Sequence, residues 1–283
     1  MNRSKDIKIF NGGIAIVTGG ASGIGRSLGK ALACRGCTVV LADINAVQAK
    51  KVSEEIRAEG GRAAAVELDV TDFDAVKAVV RDTSEKYGRL DYIFNNAGIA
   101  INGKFQDFET KDWERCININ LRGVVHGVRA AFPVMEKQGF GHIINTSSTA
   151  GIFPWPTSIA YTTTKHAVVG LTTALRAEVA NTGVRLSALC PGTIQTPLIE
   201  QGGKNGRWVG VHSEEKVREL FKGAQAMNSD KFAEQALKQI ARNKPVIIIP
   251  SGYKLLWWIY RLSPSFGISI ARMISQTVFK KIE

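Results

Sequence analysis

Residues 18–25 read TGGASGIG. They stand between a short apolar run, GIAIVT at 13–18, and a stretch of helical periodicity at 21–35 that places Leu28, Ala31 and Leu32 on one face. Gly19 permits a tight turn. Gly23 and Gly25 allow a pyrophosphate to approach the backbone and the helix to pack on its strand, while Ser22 and Ile24 complete the turn. The helix N-terminus then offers free N–H groups and the positive end of a dipole to phosphate. A glycine-rich loop is also what any sharp αβ turn needs, and only the strand–turn–helix context shifts the reading toward a dinucleotide.

Outward from this loop the same alternation continues. Strands are expected at 38–42, 63–68, 91–94, 142–146, 184–189 and 246–249, with helices at 45–59 and 72–86 among them. Strands separated by helices of this length make βαβ units, so the expected fold is a Rossmann-type doubly wound parallel sheet with helices on both faces. The expected catalytic body spans 1–250 and the expected appendage spans 251–283. The chain shows no internal repeat and no low-complexity segment.

Composition narrows the class further. With 45% apolar and 22% charged residues in 283, disorder, collagen and coiled coil are excluded. Four cysteines are too sparse for a disulfide scaffold. The N-terminus lacks a signal-peptide run, so a reducing cytoplasm is expected. The net charge is +12, and residues 231–283 hold nine Lys/Arg against two Asp/Glu. That balance suits nucleic acid, anionic lipid or a solvated face. The interleaved bulky aliphatics place nucleic acid last.

Other positions carry chemistry. Asp43, at the end of the second strand, can accept hydrogen bonds from both adenosine ribose hydroxyls and would repel a 2′-phosphate, which favours NAD over NADP. It could equally cap the next helix, and Arg26 could assist a phosphate. Asp69-Val70 ends the third strand, where it would meet an adenine edge; an N-cap is again the alternative. Asn95-Asn96-Ala97-Gly98 (NNAG) follows the fourth strand with small residues that permit close approach to a ribose. Tyr161 and Lys165 are four apart and share a helical face. A phenol with a pKa of about 10 is a poor base until a neighbouring ammonium and a positive nicotinamide favour its phenolate. Tyr161 could then exchange a proton with an alcohol or carbonyl, and Ser148 could hydrogen-bond the same oxygen. The histidines show no metal-ligand spacing, and no metal is expected.

In this order TGxxxGIG, the strand-end Asp, NNAG, a Ser thirteen positions before YxxxK, and a Pro-Gly after the sixth strand closely resemble the short-chain dehydrogenase/reductase family, over roughly residues 10–200. The resemblance implies an oxidoreductase acting on CH–OH groups with NAD(P). It implies that Asn120, in the family's VNLxG segment (here Ile119 to Gly123), holds a water in a proton relay from Lys165. It implies that Ser148 rather than Ser147 is the active serine, and that Lys165 also holds the nicotinamide ribose. It places Pro191, Gly192, Ile194 and Thr196 beside the nicotinamide carboxamide. A dimer through the helices carrying Asn120 and Tyr161 follows by the same resemblance. The glycine pair that helps many members form a tetramer is missing here.

Two regions bear on the substrate. Residues 197–227 contain Gly202, Gly203, Gly206, Gly210 and Gly223, which suits a lid, with Trp208, Val209, Val211, Leu220 and Phe221 on its inner side. Phe153, Pro154 and Trp155 are expected to face the pocket. Such a lining suits a lipophilic steroid, retinoid or long-chain alcohol or ketone, although the same aromatics could be packing. The appendage reads YKLLWWIYRL at 253–262, then places Phe266, Ile270, Met273, Ile274 and Val278 at helical spacing. It is too short in apolar run to span a bilayer, which needs about 20 residues. It suits a peripheral membrane contact or packing on the body or a second subunit. The competing functions are an NADP-dependent carbonyl or 3-oxoacyl reductase and a membrane-attached nucleotide-binding protein without turnover.

Overall fold

The computed structural model describes residues 9–197, 206–210 and 226–282. Seven strands form one parallel sheet: β1 (Ile14–Thr18), β2 (Thr38–Asp43), β3 (Arg62–Glu67), β4 (Tyr92–Asn95), β6 (Gly141–Thr146), β7 (Val184–Pro191) and β9 (Val246–Ile249), in the order β3-β2-β1-β4-β6-β7-β9. A small second sheet pairs β5 (Ala100–Asn102) with β8 (Gly206–Trp208). The large sheet reverses direction of growth between β1 and β4. In such sheets that point leaves a crevice at the carboxyl ends of the strands where ligands bind.

Helices cover both faces. Helices α1 (Gly23–Ala33), α2 (Ala46–Ala58) and α7 (Ser229–Ala241) pack on one side, where Leu28, Leu32, Val52, Phe232 and Leu237 meet Val17, Leu41 and Phe94. Helices α3 (Phe73–Tyr87), α5 (Gly123–Gln138) and α6 (Ile159–Glu178) supply the other core with Val76, Val128, Met135 and Val168 against Ile16, Ile93 and Ile143. Strands with both faces covered read as continuous apolar runs, and every residue of β1 is buried. Close approach is built in: a Cβ at Gly25 would lie 2.0 Å from the Gly19 carbonyl oxygen.

Between β5 and α5 stand α4 (Thr110–Ile117) and one π-turn, Asn118–Arg122. The sequence reading has no element at β5, β8 or α4. Each is three to eight residues long, too short to impose a hydrophobic period.

The appendage forms α8 (Tyr253–Leu262) and α9 (Pro264–Ile282). The two close on each other where Gly267 meets Tyr260. Expected apolar positions in α9 divide: Ile270, Ile274 and Val278 are half-buried, whereas Phe266 and Met273 are exposed, because the inner face is set by Gly267 and Ala271 instead. Among the described residues no helix is long and apolar enough to cross a membrane.

Candidate active site

Thr18 ends β1 and staples the crevice. Its hydroxyl donates to the Phe94 carbonyl (3.2 Å) and accepts from the backbone N–H of Asn96 (2.9 Å) and Ala97 (3.0 Å). The Asn96 amide donates in turn to the Thr18 carbonyl (3.0 Å). Glycine at 19 is required by a φ of +65° and because a Cβ there would sit 2.9 Å from Ala97 Cα. The two segments expected to hold a dinucleotide are thus one assembly. The sequence reading quotes Thr18 as the start of the motif but assigns its hydroxyl no role, because one hydroxyl in a glycine-rich motif has no periodic signature.

The Ser22 side chain does not cap α1, and no acidic residue lies in the helix's first turn. Those N–H groups and the dipole therefore face the crevice uncompensated, a setting that suits phosphate. Across from them Thr196 approaches Gly23, whose Cβ would stand 3.1 Å from Thr196 Cγ2. Ile194 is buried in the core, so only its backbone could meet a coenzyme, while Ile24 is half-buried against the same core.

Asp43 does not cap the following helix. Asn45 does, accepting from Gln48 N–H at 3.1 Å, while the Asp43 carboxylate accepts from the N–H of Ala21 (3.0 Å) and of Asn45 (2.9 Å). The carboxylate is thereby fixed against the glycine-rich loop. Arg26, which could assist a 2′-phosphate, is paired with Glu55 at 2.8 Å. Asp69 also proves not to be a cap: α3 is capped by Asp72, and Asp69 accepts from both the N–H and the hydroxyl of Thr71. Val70 packs where a Cβ at Gly123 would lie.

The YxxxK helix α6 carries Tyr161 and Lys165 to the same end of the sheet. Lys165 is 3% exposed, donates to the Thr146 carbonyl at 2.9 Å, and lies 5.4 Å from the centroid of the Tyr161 ring. Ser147 and Ser148 separate cleanly. The Ser147 hydroxyl is buried and spent on the Lys165 carbonyl (2.7 Å), whereas the Ser148 hydroxyl accepts from the Ala150 N–H (3.1 Å), lies 3.5 Å from the Pro191 carbonyl and acts on the Tyr161 phenol. Asn120 sits fully buried in the π-turn, its amide paired both ways with the Ile99 backbone at 2.9 Å. Gly98 separates it from Lys165: a Cβ there would stand 3.1 Å from Asn120 Oδ1 and 3.5 Å from Lys165 Nζ.

Within the protein itself, burial pushes the Tyr161 phenol up to about 12, and the Ser148 hydroxyl pulls only partly the other way. Lowering it would rest on the positive nicotinamide. Burial also drives the Lys165 ammonium down to about 8. Two groups taken out of water each favour their neutral forms, and the ammonium points at a carbonyl rather than at the phenol oxygen.

On the substrate side, Tyr161 packs in a cluster with Ile99, Ile101, Cys116, Ala160 and Val209. Of the two readings for Phe153, facing the pocket or packing, the structure shows packing. Phe153 is 2% exposed and wedged edge-on between Trp155 (6.4 Å) and Tyr260 (6.0 Å). Trp208 and Val209 are in place through the β5–β8 pair. Of the expected lid, Gly202, Gly203, Val211, Leu220, Phe221 and Gly223 lie outside the described residues.

Comparisons with known proteins agree with this geometry. Residues 13–205 match the family model for short chain dehydrogenase. "Probable oxidoreductase EphD" of Mycobacterium tuberculosis is 35% identical over 272 residues, covering 93% of this chain and 45% of that protein, so the chain spans less than half of that relative's length. A cyclohexanol dehydrogenase of Acinetobacter sp. is 39% identical over 194 residues, covering 68% of this chain and 77% of that enzyme. Among solved structures, a short chain dehydrogenase/reductase of Burkholderia phymatum in complex with NAD superposes with a TM-score of 0.82 at 28% identity, covering 91% and 95% of the two chains. The chain belongs to the short-chain dehydrogenase/reductase family.

Proposed function

We propose that this protein moves hydride between NAD(H) and a lipophilic secondary alcohol or ketone. The observation that carries the reading is the convergence of Ser148, Tyr161 and Lys165 at the strand ends beside an uncapped helix N-terminus and a fixed Asp43 carboxylate. The residues that would hold the dinucleotide are Gly19 to Gly25 at the pyrophosphate, Asp43 at the adenosine ribose and Asp69-Val70 at the adenine. Asn96 to Gly98, Tyr161 and Lys165 would meet the nicotinamide ribose, with Pro191, Gly192, Ile194 and Thr196 beside its carboxamide. When bound, the coenzyme supplies or accepts the hydride.

The chain's own residues handle the proton. Tyr161 gives its phenolic proton to the substrate oxygen in reduction and takes it back in oxidation, and the Ser148 hydroxyl orients that oxygen. With its own pKa near 12 the phenol is a competent donor at neutral pH. As a base it needs added positive charge nearby, which the oxidised nicotinamide brings. Lys165 would return the proton to the phenol by way of the ribose hydroxyls it is proposed to hold, since its ammonium donates to the Thr146 carbonyl. Because the Asn120 side chain is committed to Ile99, its backbone carbonyl is what remains to hold the relay water.

Asp43, with Arg26 occupied, supports NAD over NADP. The apolar cluster around Tyr161, and a relative named for cyclohexanol, support a lipophilic secondary alcohol. Residues 197–227 would cover it. The body 1–250 would be the catalytic unit, pairing with a second copy through α5 and α6. The appendage 251–283 would rest on anionic lipid at a cytoplasmic membrane face, since α8 exposes Leu255, Trp258 and Leu262 beside Lys254 and Arg261.

A panel of cyclohexanol, hydroxysteroids and long-chain 2-alkanols, incubated with NAD or NADP and followed by reduced-coenzyme absorbance, tests the reading. Turnover with NAD is expected. A clear preference for NADP would refute the role of Asp43, and failure to bind either coenzyme would refute the function.

A further inference from the structure

The start of the appendage reaches the coenzyme loop. Strands β7 and β9 pair in parallel up to Pro191 and Ile249, and the Gly192 N–H donates to the Ile249 carbonyl at 2.8 Å. The two strand ends therefore leave the sheet side by side. Only three residues separate Ile249 from Tyr253, the first residue of α8. That short connection lays the Tyr253 ring directly over Gly192: a Cβ at 192 would stand 2.3 Å from ring carbon Cε2. The Tyr253 hydroxyl lies 3.1 Å from Thr193 Oγ1.

The rest of this loop is held from other directions. Ile194 is buried in the core under α1 and α7. The Thr193 carbonyl accepts from Met227 N–H (3.0 Å), and the Met227 carbonyl accepts from Gln195 N–H (2.9 Å). Thr196 faces Gly23. At Gly192-Thr193, then, the loop's outer side rests on a side chain from the appendage.

We infer that Tyr253 is a positioning residue for the nicotinamide end of the site, acting through Gly192 and Thr193. The inference rests on the reading that Pro191 to Thr196 borders the nicotinamide. Two contacts do the work: the ring fills the space that only glycine leaves at 192, and the hydroxyl fixes the Thr193 side chain. Residues of the appendage thereby set the affinity of one half of the coenzyme and leave the other half untouched.

The test compares NADH with ADP-ribose, which lacks the nicotinamide, by titration of the full-length wild type, Tyr253→Phe, Thr193→Val and the double variant. Tyr253→Phe keeps the ring and removes one hydrogen bond. It is expected to weaken NADH binding about fivefold while ADP-ribose binding changes less than about twofold. Thr193→Val should match it, and the double variant should be no worse than either single one. Tyr253→Ala should weaken NADH further, by about tenfold or more. If it fails to fold, the Phe and Val variants decide. Unchanged NADH affinity in both Tyr253→Phe and Thr193→Val overturns the inference, as does equal weakening of NADH and ADP-ribose, which would mark a general loss of structure. Wild-type protein that binds neither ligand would instead refute the coenzyme reading, and the inference with it.

Discussion

The Lys165 ammonium lies 5.4 Å from the centroid of the Tyr161 ring and donates to the Thr146 carbonyl rather than to the phenol. In the proposed reaction Tyr161 is a proton donor first, since burial pushes its phenol up to about 12. Tyr161→Phe removes one oxygen and leaves the ring in its apolar cluster. Turnover should fall by a factor on the order of 10² to 10⁴, the usual worth of a positioned acid or base. NADH titration should still show binding. Turnover within tenfold of wild type would place the proton elsewhere.

Lys165 offers a separate readout, because function and stability oppose each other there. Its folded pKa of about 8 is below the ordinary 10.5. Below about pH 8 both folded and unfolded chains carry the proton, and the folded chain bears the full cost of a buried ammonium, ~3 kcal/mol. Between about pH 8 and 10.5 the unfolded chain binds more protons, so the stabilisation that is lacking at neutral pH returns as pH rises. Lys165→Met should abolish turnover yet melt higher than wild type near pH 7. That advantage should shrink by pH 10. Melting curves of the two proteins across this range settle the sign, and a constant difference would mean that Lys165 is not held neutral by burial.

Much of this site is legible in the chain because local rules and global topology agree. Thr18 to Gly25 must be a strand-to-helix turn whatever surrounds it, and Tyr161 and Lys165 share a face by helical spacing alone. What the chain conceals depends on contacts between distant segments. The Asp43 carboxylate reaches Ala21, 22 positions away, and Asn45 takes the capping role that Asp43 could have had. Phe153 is packed by Tyr260, a partner over a hundred residues away with no periodic tie to it. The raised Tyr161 phenol is hidden from the sequence for a related reason. Spacing gives the distance to a charge, but burial, which reverses the effect here, belongs to the whole fold.

His142 gives the acid limb of stability. It is buried within β6, with Nε2 2.8 Å from Ser187 Oγ, and burial holds it down to about 3 against an ordinary 6.5. Its stabilising contribution is present above about pH 6.5 and is lost as pH falls toward 3, since the unfolded chain takes up a proton that the folded chain refuses. At pH 5 the loss is ~2 kcal/mol. In urea unfolding, His142→Asn should start less stable at pH 7 and lose less than wild type between pH 7 and 5. Parallel losses in the two proteins would assign the acid sensitivity to other groups.

Asp43 is held by two backbone N–H groups, so its charge is fixed against the loop that is proposed to meet the coenzyme. Asp43→Ala should weaken NAD by about 10-fold or more, the effect of losing hydrogen bonds to a charged group. NADP should improve relative to NAD, because the repulsion of a 2′-phosphate goes with the carboxylate. Kinetics with each coenzyme measure the ratio. A ratio unchanged from wild type would show that the carboxylate does not face the ribose.

The outer face of α8 is the surface with the sharpest physical demand. Leu255, Trp258 and Leu262 are 68%, 53% and 80% exposed, while Tyr253, Trp257 and Tyr260 of the same helix turn inward. Lys254 and Arg261 flank the outer apolar row, and the segment 251–283 carries five Lys/Arg against one Glu. Isolated exposed leucines need no explanation, but three in one row with an indole and two cations suit the headgroup region of an anionic bilayer. Trp258→Glu places a carboxylate on that row without touching the inward face. Sedimentation with phosphatidylserine-containing vesicles should fall at least fivefold, and melting temperature should stay within about two degrees of wild type, as for surface changes generally. Salt should release the wild type, since attraction between exposed charges is screened within about 8 Å at physiological ionic strength. Wild-type protein that never sediments with such vesicles would remove the lipid surface as the partner of this face.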